Sequence, residues 1–193
     1  FYYRDLETGY TISYESDNIM YAASLVKVPY VYTMLKTVFD FEYNKLNFDD
    51  EGNPLYDEEG QPLFEGDHPN LDEEGRIIYL EGEEKYDLSR IWTFNKEEMM
   101  VEGSGVIQKM EDGIQMTYLD LALYALQYSD NIAFAEIRKM FGYTEYLSMA
   151  RSMGVRGSSH GYMKLSASDC GIFLGAIYDF TESNEKYGTR MKE

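Results

Sequence analysis

Cationic and redox-active side chains are scarce in this chain. Its single cysteine, Cys170, leaves no intramolecular disulfide to be formed, which by itself does not fix the compartment. The two histidines, His68 and His160, have no second cysteine to join them, poor material for a zinc site. Lys and Arg number 17 against 35 acids, a formal net charge of -18; phosphate binding needs clustered cations, so nucleic acid is excluded as a partner. No apolar run reaches the about 20 residues that a membrane-spanning helix requires. The chain begins at Phe1 and not at Met, as expected of a mature or excised form, any targeting segment of which would lie outside it.

What is present is a globular composition. Of 193 residues, 44% are hydrophobic and 16% aromatic, enough for one substantial core or two packed subdomains. Much of the acid is concentrated in an insertion expected over 44–95. There a short theme recurs, Asp50 to Leu55, Glu58 to Leu63 and Glu73 to Ile78, each an acidic turn with Gly at the bend and apolar residues after it. Short hairpins or a solvated surface excursion follow from that pattern. The sharper reading is calcium, because Asn47, Asp49, Glu51 and Glu58 fall at positions 1, 3, 5 and 12 of an EF-hand-like loop, with Gly52 at the sixth, where the loop turns. Asn at the first position and Pro54 at the eighth fit that loop badly, and neither flank reads as a helix.

Chemistry points elsewhere, to Ser24 and Lys27 in Tyr21-Ala22-Ala23-Ser24-Leu25-Val26-Lys27-Val28-Pro29. An S-x-x-K at a helix start places hydroxyl and amine on one face. A desolvated lysine can act as the base that a serine nucleophile needs, and exposed N–H groups at the helix start can serve a developing oxyanion. The plainer reading is that Ser24 caps a helix whose apolar face is Leu25, Val28 and Tyr32, with Lys27 in solvent. A second element is Tyr128-Ser129-Asp130-Asn131, between helical runs expected over 118–127 and 132–141. Capping alone would also favour Ser and Asp at such a corner.

The ordered pair, S-x-x-K and then S-D-N, resembles the superfamily of class A β-lactamases and penicillin-binding proteins. Three further segments agree with it: two aromatic and β-branched strands joined at Gly9 within Phe1 to Tyr14, the Gly-rich Gly103-Ser104-Gly105-Val106-Ile107-Gln108, and the helix start Ser166-Ala167-Ser168-Asp169. The expected fold is therefore α/β (α+β), β-lactamase/transpeptidase-like. Its parts are a hairpin of the first two sheet strands (1–17), a nucleophile helix (24–40), the acidic insertion, and a helical subdomain (96–193), together one partial domain. Within that subdomain Thr117 and Asp120 approximate a capping box before a buried helix, Thr144 caps 145–153, Gly142 and Gly154 are stops, and Ser166 caps a helix carrying Cys170 and Phe173.

The resemblance implies roles by residue. Ser24 forms the acyl-enzyme with a lactam or a D-alanyl peptide or ester; Lys27 takes its proton; Ser129 relays a proton to the leaving nitrogen; Asn131 holds the substrate amide; Asp130 orients the turn. The Ser24 N–H is one oxyanion donor. It implies no cofactor and no metal, a small-molecule or peptidoglycan-peptide substrate, and an extracytoplasmic location in the cell envelope. Two departures matter. The K-T-G or K-S-G strand that lines the cleft opposite the serine has no counterpart, since Lys186-Tyr187-Gly188-Thr189 lacks strand-like flanks, so the chain is expected to lack the C-terminal sheet strands. The connection Val155 to Lys164 also has no glutamate to activate a deacylating water, and His160 is its single candidate base. A serine acyl-transfer hydrolase is thus the leading expectation. A catalytically impaired cell-wall or ligand sensor on the same scaffold is the alternative, and the acidic insert as a calcium or protein-binding surface is a third.

Overall fold

The computed structural model describes residues 1–43, 46, 55, 56, 58, 63, 77, 79, 81–184 and 186–192. It divides into one unit of Phe1–Lys36 with Ser89–Glu193 and another of Thr37–Leu88.

In the larger unit, β1 (Tyr2–Arg4) and β2 (Thr11–Ser13) form the expected antiparallel hairpin, with Tyr2 opposite Ser13 and Arg4 opposite Thr11. The Asp5 carboxylate builds its turn, accepting from the N–H of Glu7 at 3.1 Å and of Thr8 at 2.7 Å, and Gly9 closes it at φ +73°. The short β3 (Met20–Tyr21) leads into a turn of 3-10 helix, Ala23–Val26, and then α1 (Lys27–Tyr43). Pro29 is tolerated because it lies in the first turn of α1, where little N–H bonding is forfeited.

After Ser89, β4 (Ile91–Thr93), the single turn α2 (Lys96–Met99) and β5 (Gln115–Thr117) precede α3 (Tyr118–Gln127), α4 (Asn131–Phe141) and α5 (Thr144–Ser152). The strand β6 (Lys164–Leu165), α6 (Ala167–Ser183) and α7 (Gly188–Lys192) follow. Two ribbons absent from the sequence reading tie these together: β4 pairs with β5, and β3 with β6. β4 therefore belongs to the main unit, and the boundary expected at residue 95 falls instead at Leu88.

The core is a stack around the first turns of α1. Val26, Tyr30, Val31, Met34 and Leu35 are fully buried, as are Leu121 and Ala122 of α3 and Ala133 and Ile137 of α4. The Tyr30 ring meets Phe134 edge-on at 5.3 Å and lies 5.6 Å from Tyr146, and its hydroxyl donates to the Gly142 carbonyl. Tyr30 is three residues after Lys27 and Phe134 three after Asn131, so one aromatic contact sets α1 against α4 at the level of both motifs. α6 comes close to the hairpin because Gly171 has no side chain: a Cβ there would stand 2.2 Å from the Tyr2 ring.

Several boundaries shift. The α-helix begins at Lys27, so Ser24 rides the 3-10 turn and not the nucleophile helix expected over 24–40. Thr144 is the first residue of α5 and caps nothing with its side chain. α3 buries one face through Leu121, Ala122 and Ala125, while Leu123, Tyr124 and Leu126 are half-exposed. Its capping box is complete, with Thr117 and Asp120 each serving the other's backbone. Residues 186–189 form no strand; Tyr187 is buried and Gly188 opens α7.

In the smaller unit, Phe41 stacks on Tyr86 at 3.9 Å and on Tyr79 at 6.2 Å, and the Tyr79 hydroxyl donates to Glu42 at 3.1 Å. The Leu63 N–H donates to the Leu55 carbonyl, joining the apolar ends of the first two acidic repeats. Of the calcium-loop positions only Glu58 is described; Asn47, Asp49, Glu51 and Gly52 lie outside the described residues, as does His68.

Candidate active site

Lys27 is buried, with 4% of its surface exposed, so the reading that left it in solvent fails. Its ammonium points into the S-D-N corner. It donates to the Ser129 carbonyl, to Asn131 Oδ1 at 2.7 Å and to Ser129 Oγ at 3.2 Å, and lies 5.8 Å from the centre of the Phe134 ring. Burial pushes the Lys27 amine below its ordinary value, and the Asp130 carboxylate pulls it partly back. Two motifs more than 100 positions apart thus share one polar cluster.

Ser24 lies on the turn just before, with the Lys27 N–H donating to its carbonyl. Residues three apart on a 3-10 turn are eclipsed, but among the described residues no hydrogen bond joins Ser24 Oγ to Lys27 Nζ, whose partners all lie in the S-D-N corner. Ser24 is exposed, and no side chain caps the turn, so the capping reading fails for it too. The residue before it, Ala23, sits at φ +47°, and Ser129 at φ +49°; with Glu15 they are the described non-glycine residues in left-handed backbone. Such conformations cost a kilocalorie or so and persist where the surroundings dictate them. Two of the three are at the candidate site.

Asp130 explains how Ser129 is held there. Its Oδ1 accepts from the N–H groups of Ile132 at 2.9 Å and Ala133 at 3.1 Å, capping α4; its Oδ2 accepts from Val106 at 2.6 Å and Ile107 at 2.9 Å. The Gly-rich strap is thereby bound to the corner. The two glycines admit this approach, for a Cβ on Gly103 would stand 2.2 Å from Asn131 Nδ2 and one on Gly105 2.3 Å from Asp130 Oδ2. Asn131 is committed at both ends, its Nδ2 donating to the Glu102 carbonyl at 3.0 Å.

Asp169 repeats the device on the other side. It completes the capping box of α6 with Ser166 and accepts from the N–H of Arg156 at 2.8 Å and Gly157 at 3.0 Å. This pins the connection after α5, which returns to the nucleophile turn through β6 and through the Ala22 N–H donating to Met163 at 2.8 Å. Tyr162 in that connection accepts from Arg138 Nη1 at 3.1 Å. His160 ends its 3-10 turn with an exposed ring.

An apolar groove of about 550 Å³ lies between β1, the Ala22–Leu25 turn and α6, lined among others by Tyr3, Tyr21, Ala22, Leu25 and Leu174 but not by Ser24. β1 pairs with β2 alone among the described residues, so its other edge is open. No group of His, Cys, Asp or Glu that could hold a metal occurs among the described residues. Asp169, Glu102 and Ser104 carry no site role in the sequence reading. Ser166 three residues before Asp169 signals the one, and the Gly-Ser-Gly triplet signals Ser104; nothing in the sequence points to the Glu102 carbonyl.

A short antiparallel hairpin with a mainly helical body is the β-lactamase/transpeptidase-like fold. The chain belongs to the beta-lactamase enzyme family, whose model matches residues 1–50 and 80–191. Solved structures with this fold include PBP-A at 16% identity, covering 98% of this chain and 58% of that one with a TM-score of 0.62. A glutamate-for-leucine variant of PBP-A, an acyl-enzyme complex with penicillin G, matches equally, with a TM-score of 0.62. The beta-lactamase from Sphaerobacter thermophilus follows at 17% identity, with 95% and 57% of the two chains covered and a TM-score of 0.62. The chain therefore spans less than three fifths of the length of these structures. No curated protein matches it.

Proposed function

We propose that this chain carries the acylating half of a serine acyl-transfer site, with Ser24 as nucleophile and Lys27 as base. The observation that carries the reading is Lys27, buried and bonded to Ser129 and Asn131, one turn after an exposed serine. As a neutral amine, Lys27 keeps two N–H donors for the Ser129 carbonyl and Asn131 Oδ1 and frees a lone pair. That lone pair faces Ser129 Oγ here, so the Ser24 Oγ–H proton passes to it once Lys27 Nζ has turned from Ser129 toward Ser24, as the Oγ–carbonyl bond forms. The C–N bond of a lactam or D-alanyl amide then breaks. The proton travels from Lys27 through Ser129 Oγ, 3.2 Å away, to the leaving nitrogen.

Asn131 is poised to receive a substrate amide once its bond to the Glu102 carbonyl is exchanged. The Ser24 N–H supplies one oxyanion donor. The wall opposite Ser24, which the resemblance assigns to a K-T-G or K-S-G strand, is not built by residues 186–189; the open edge of β1 and the apolar groove are where such a strand fits. A second oxyanion donor from such a strand would be worth about 10²–10³ in acylation rate. The connection 155–164 holds no carboxylate, so the acyl-enzyme outlives its formation. A penicillin-binding-protein-like acyltransferase fits this better than an efficient β-lactamase, with a small-molecule or peptidoglycan-peptide substrate and an extracytoplasmic place of work.

Fluorescent penicillin or a fluorophosphonate tests the reading. Labelling of wild type and not of Ser24→Ala supports it; equal labelling of both ends it. Complete absence of label, with penicillin binding retained by calorimetry, establishes the second reading of a ligand sensor on this scaffold, which the missing glutamate favours.

A further inference from the structure

The strap 102–108 does more than fill space beside the S-D-N corner. Between two glycines whose missing side chains let it approach, it presents a single side chain, Ser104. The Ser104 hydroxyl donates to the Ser129 carbonyl at 2.8 Å, and the Ser104 carbonyl accepts from the Asn131 N–H at 3.0 Å. Ser104 therefore grips the motif on both sides of Asp130. The strap is in turn fixed by Gln108 Nε2, which donates to the carbonyls of Gly103 and Gly105, each at 3.2 Å.

The carbonyl that Ser104 holds also accepts from Lys27. A carbonyl oxygen has two lone pairs; here one faces an ammonium and the other a hydroxyl. A donor on the second lone pair draws electron density from the oxygen and weakens what it offers the first. We propose that Ser104 is a positioning residue for the acyl transfer described above: it fixes the left-handed Ser129 backbone and, by sharing the Ser129 carbonyl, limits how firmly Lys27 holds its proton. The inference rests on that reading for its effect on rate, but its effect on Lys27 stands apart from it.

The charged groups facing Lys27 are few. Asp130, at the start of α4, favours its ammonium, although both carboxylate oxygens are occupied by backbone N–H groups. Arg138, further along α4, lies 5.2 Å from the same Phe134 ring that Lys27 approaches at 5.8 Å. From the strap, the side chain reaching this carbonyl is the neutral hydroxyl of Ser104. Its removal strengthens the Lys27 ammonium's bond to Ser129, so the amine deprotonates at higher pH and less of it is a base near neutrality.

The test is a titration of Lys27 by NMR of lysine labelled at Cε, the signal assigned by its loss in Lys27→Met. Ser104→Ala is expected to raise the midpoint by roughly half to one pH unit, the scale of one neutral hydrogen bond. Ser104→Thr, which keeps the hydroxyl, restores it. Ser104→Val, close in shape to Thr but without the donor, behaves as Ala and serves if the smaller variant folds poorly. Penicillin labelling at pH 7 falls about three- to tenfold in Ala and Val and not in Thr, with the acid limb of the profile moved to higher pH. A midpoint unmoved or lowered in Ala and Val overturns the proposal even if Ser24 is acylated. A raised midpoint in a protein that takes no label upholds the Ser104 assignment and removes the acyl-transfer reading.

Discussion

Replacing Asp130 by Ala tests how the S-D-N corner is built. The change removes the acceptor for four backbone N–H groups, at 2.6 to 3.1 Å, from a residue that is 1% exposed. Loss of the α4 cap costs about 1 kcal/mol. The N–H groups of Val106 and Ile107 then lose their partner, each at about 1–3 kcal/mol, less where water enters. The sum, about 3–7 kcal/mol, is a large share of the 5–15 kcal/mol typical of a domain. Asp130→Asn separates the halves. Its carbonyl oxygen keeps the cap while its NH₂ faces the strap donors, so it loses about 2–6 kcal/mol, less than Ala by the worth of the cap. Urea unfolding followed by tryptophan fluorescence, with unchanged slope, measures both. An Ala variant within about 1 kcal/mol of wild type, or one more stable than Asn, refutes the four-donor account.

Gly105→Ala forces a Cβ to within 2.3 Å of Asp130 Oδ2 and 2.9 Å of Asp130 Cα at φ +137°, so unfolding midpoints drop by more than for Gly113→Ala, where nothing lies within 4 Å and only the backbone strain at φ +81° acts. Lys27 has a folded pKa below its unfolded value of 10.5, so the unfolded state binds more protons between the two. Stability therefore rises with pH through that window and falls as pH drops through the folded value; in Lys27→Met this slope disappears from denaturation measured at pH 7 to 11. His160→Ala, altering an exposed ring, leaves the penicillin labelling rate within about twofold of wild type, whereas a tenfold loss would restore His160 as a base. Asp169→Ala strands the N–H groups of Arg156 and Gly157, and hydrogen exchange across 155–164 accelerates at least tenfold while that of α3 is unchanged.

Much of the helical body could be read from its punctuation. Thr117 with Asp120, Ser166 with Asp169, and the stops Gly142 and Gly154, both at φ +81°, are local signals that the structure realises within a residue or two. Thr144 failed because its backbone is already helical and Tyr143 takes the cap position without a side-chain bond. The ribbons β3–β6 and β4–β5 were not legible, since strands of two or three residues carry no periodicity and their partners lie far along the chain. Of the site, the motifs were legible, but not that Lys27 would meet Asn131 more closely than Ser129 Oγ, at 2.7 against 3.2 Å, nor that the Ser24 turn would be 3-10. Those depend on the Tyr30–Phe134 contact between α1 and α4, a tertiary fact.

The account stands on Ser24 being acylated with Lys27 as its base. The direct measurement is intact-protein mass spectrometry of penicillin G adducts, with peptide mapping, for wild type, Ser24→Ala and Lys27→Ala from pH 5 to 10. The account predicts one adduct, on Ser24, absent in Ser24→Ala, slowed at least a hundredfold in Lys27→Ala, and forming faster as pH rises through a midpoint below that of free lysine. An adduct on another residue, or one that forms equally well without Lys27, contradicts it.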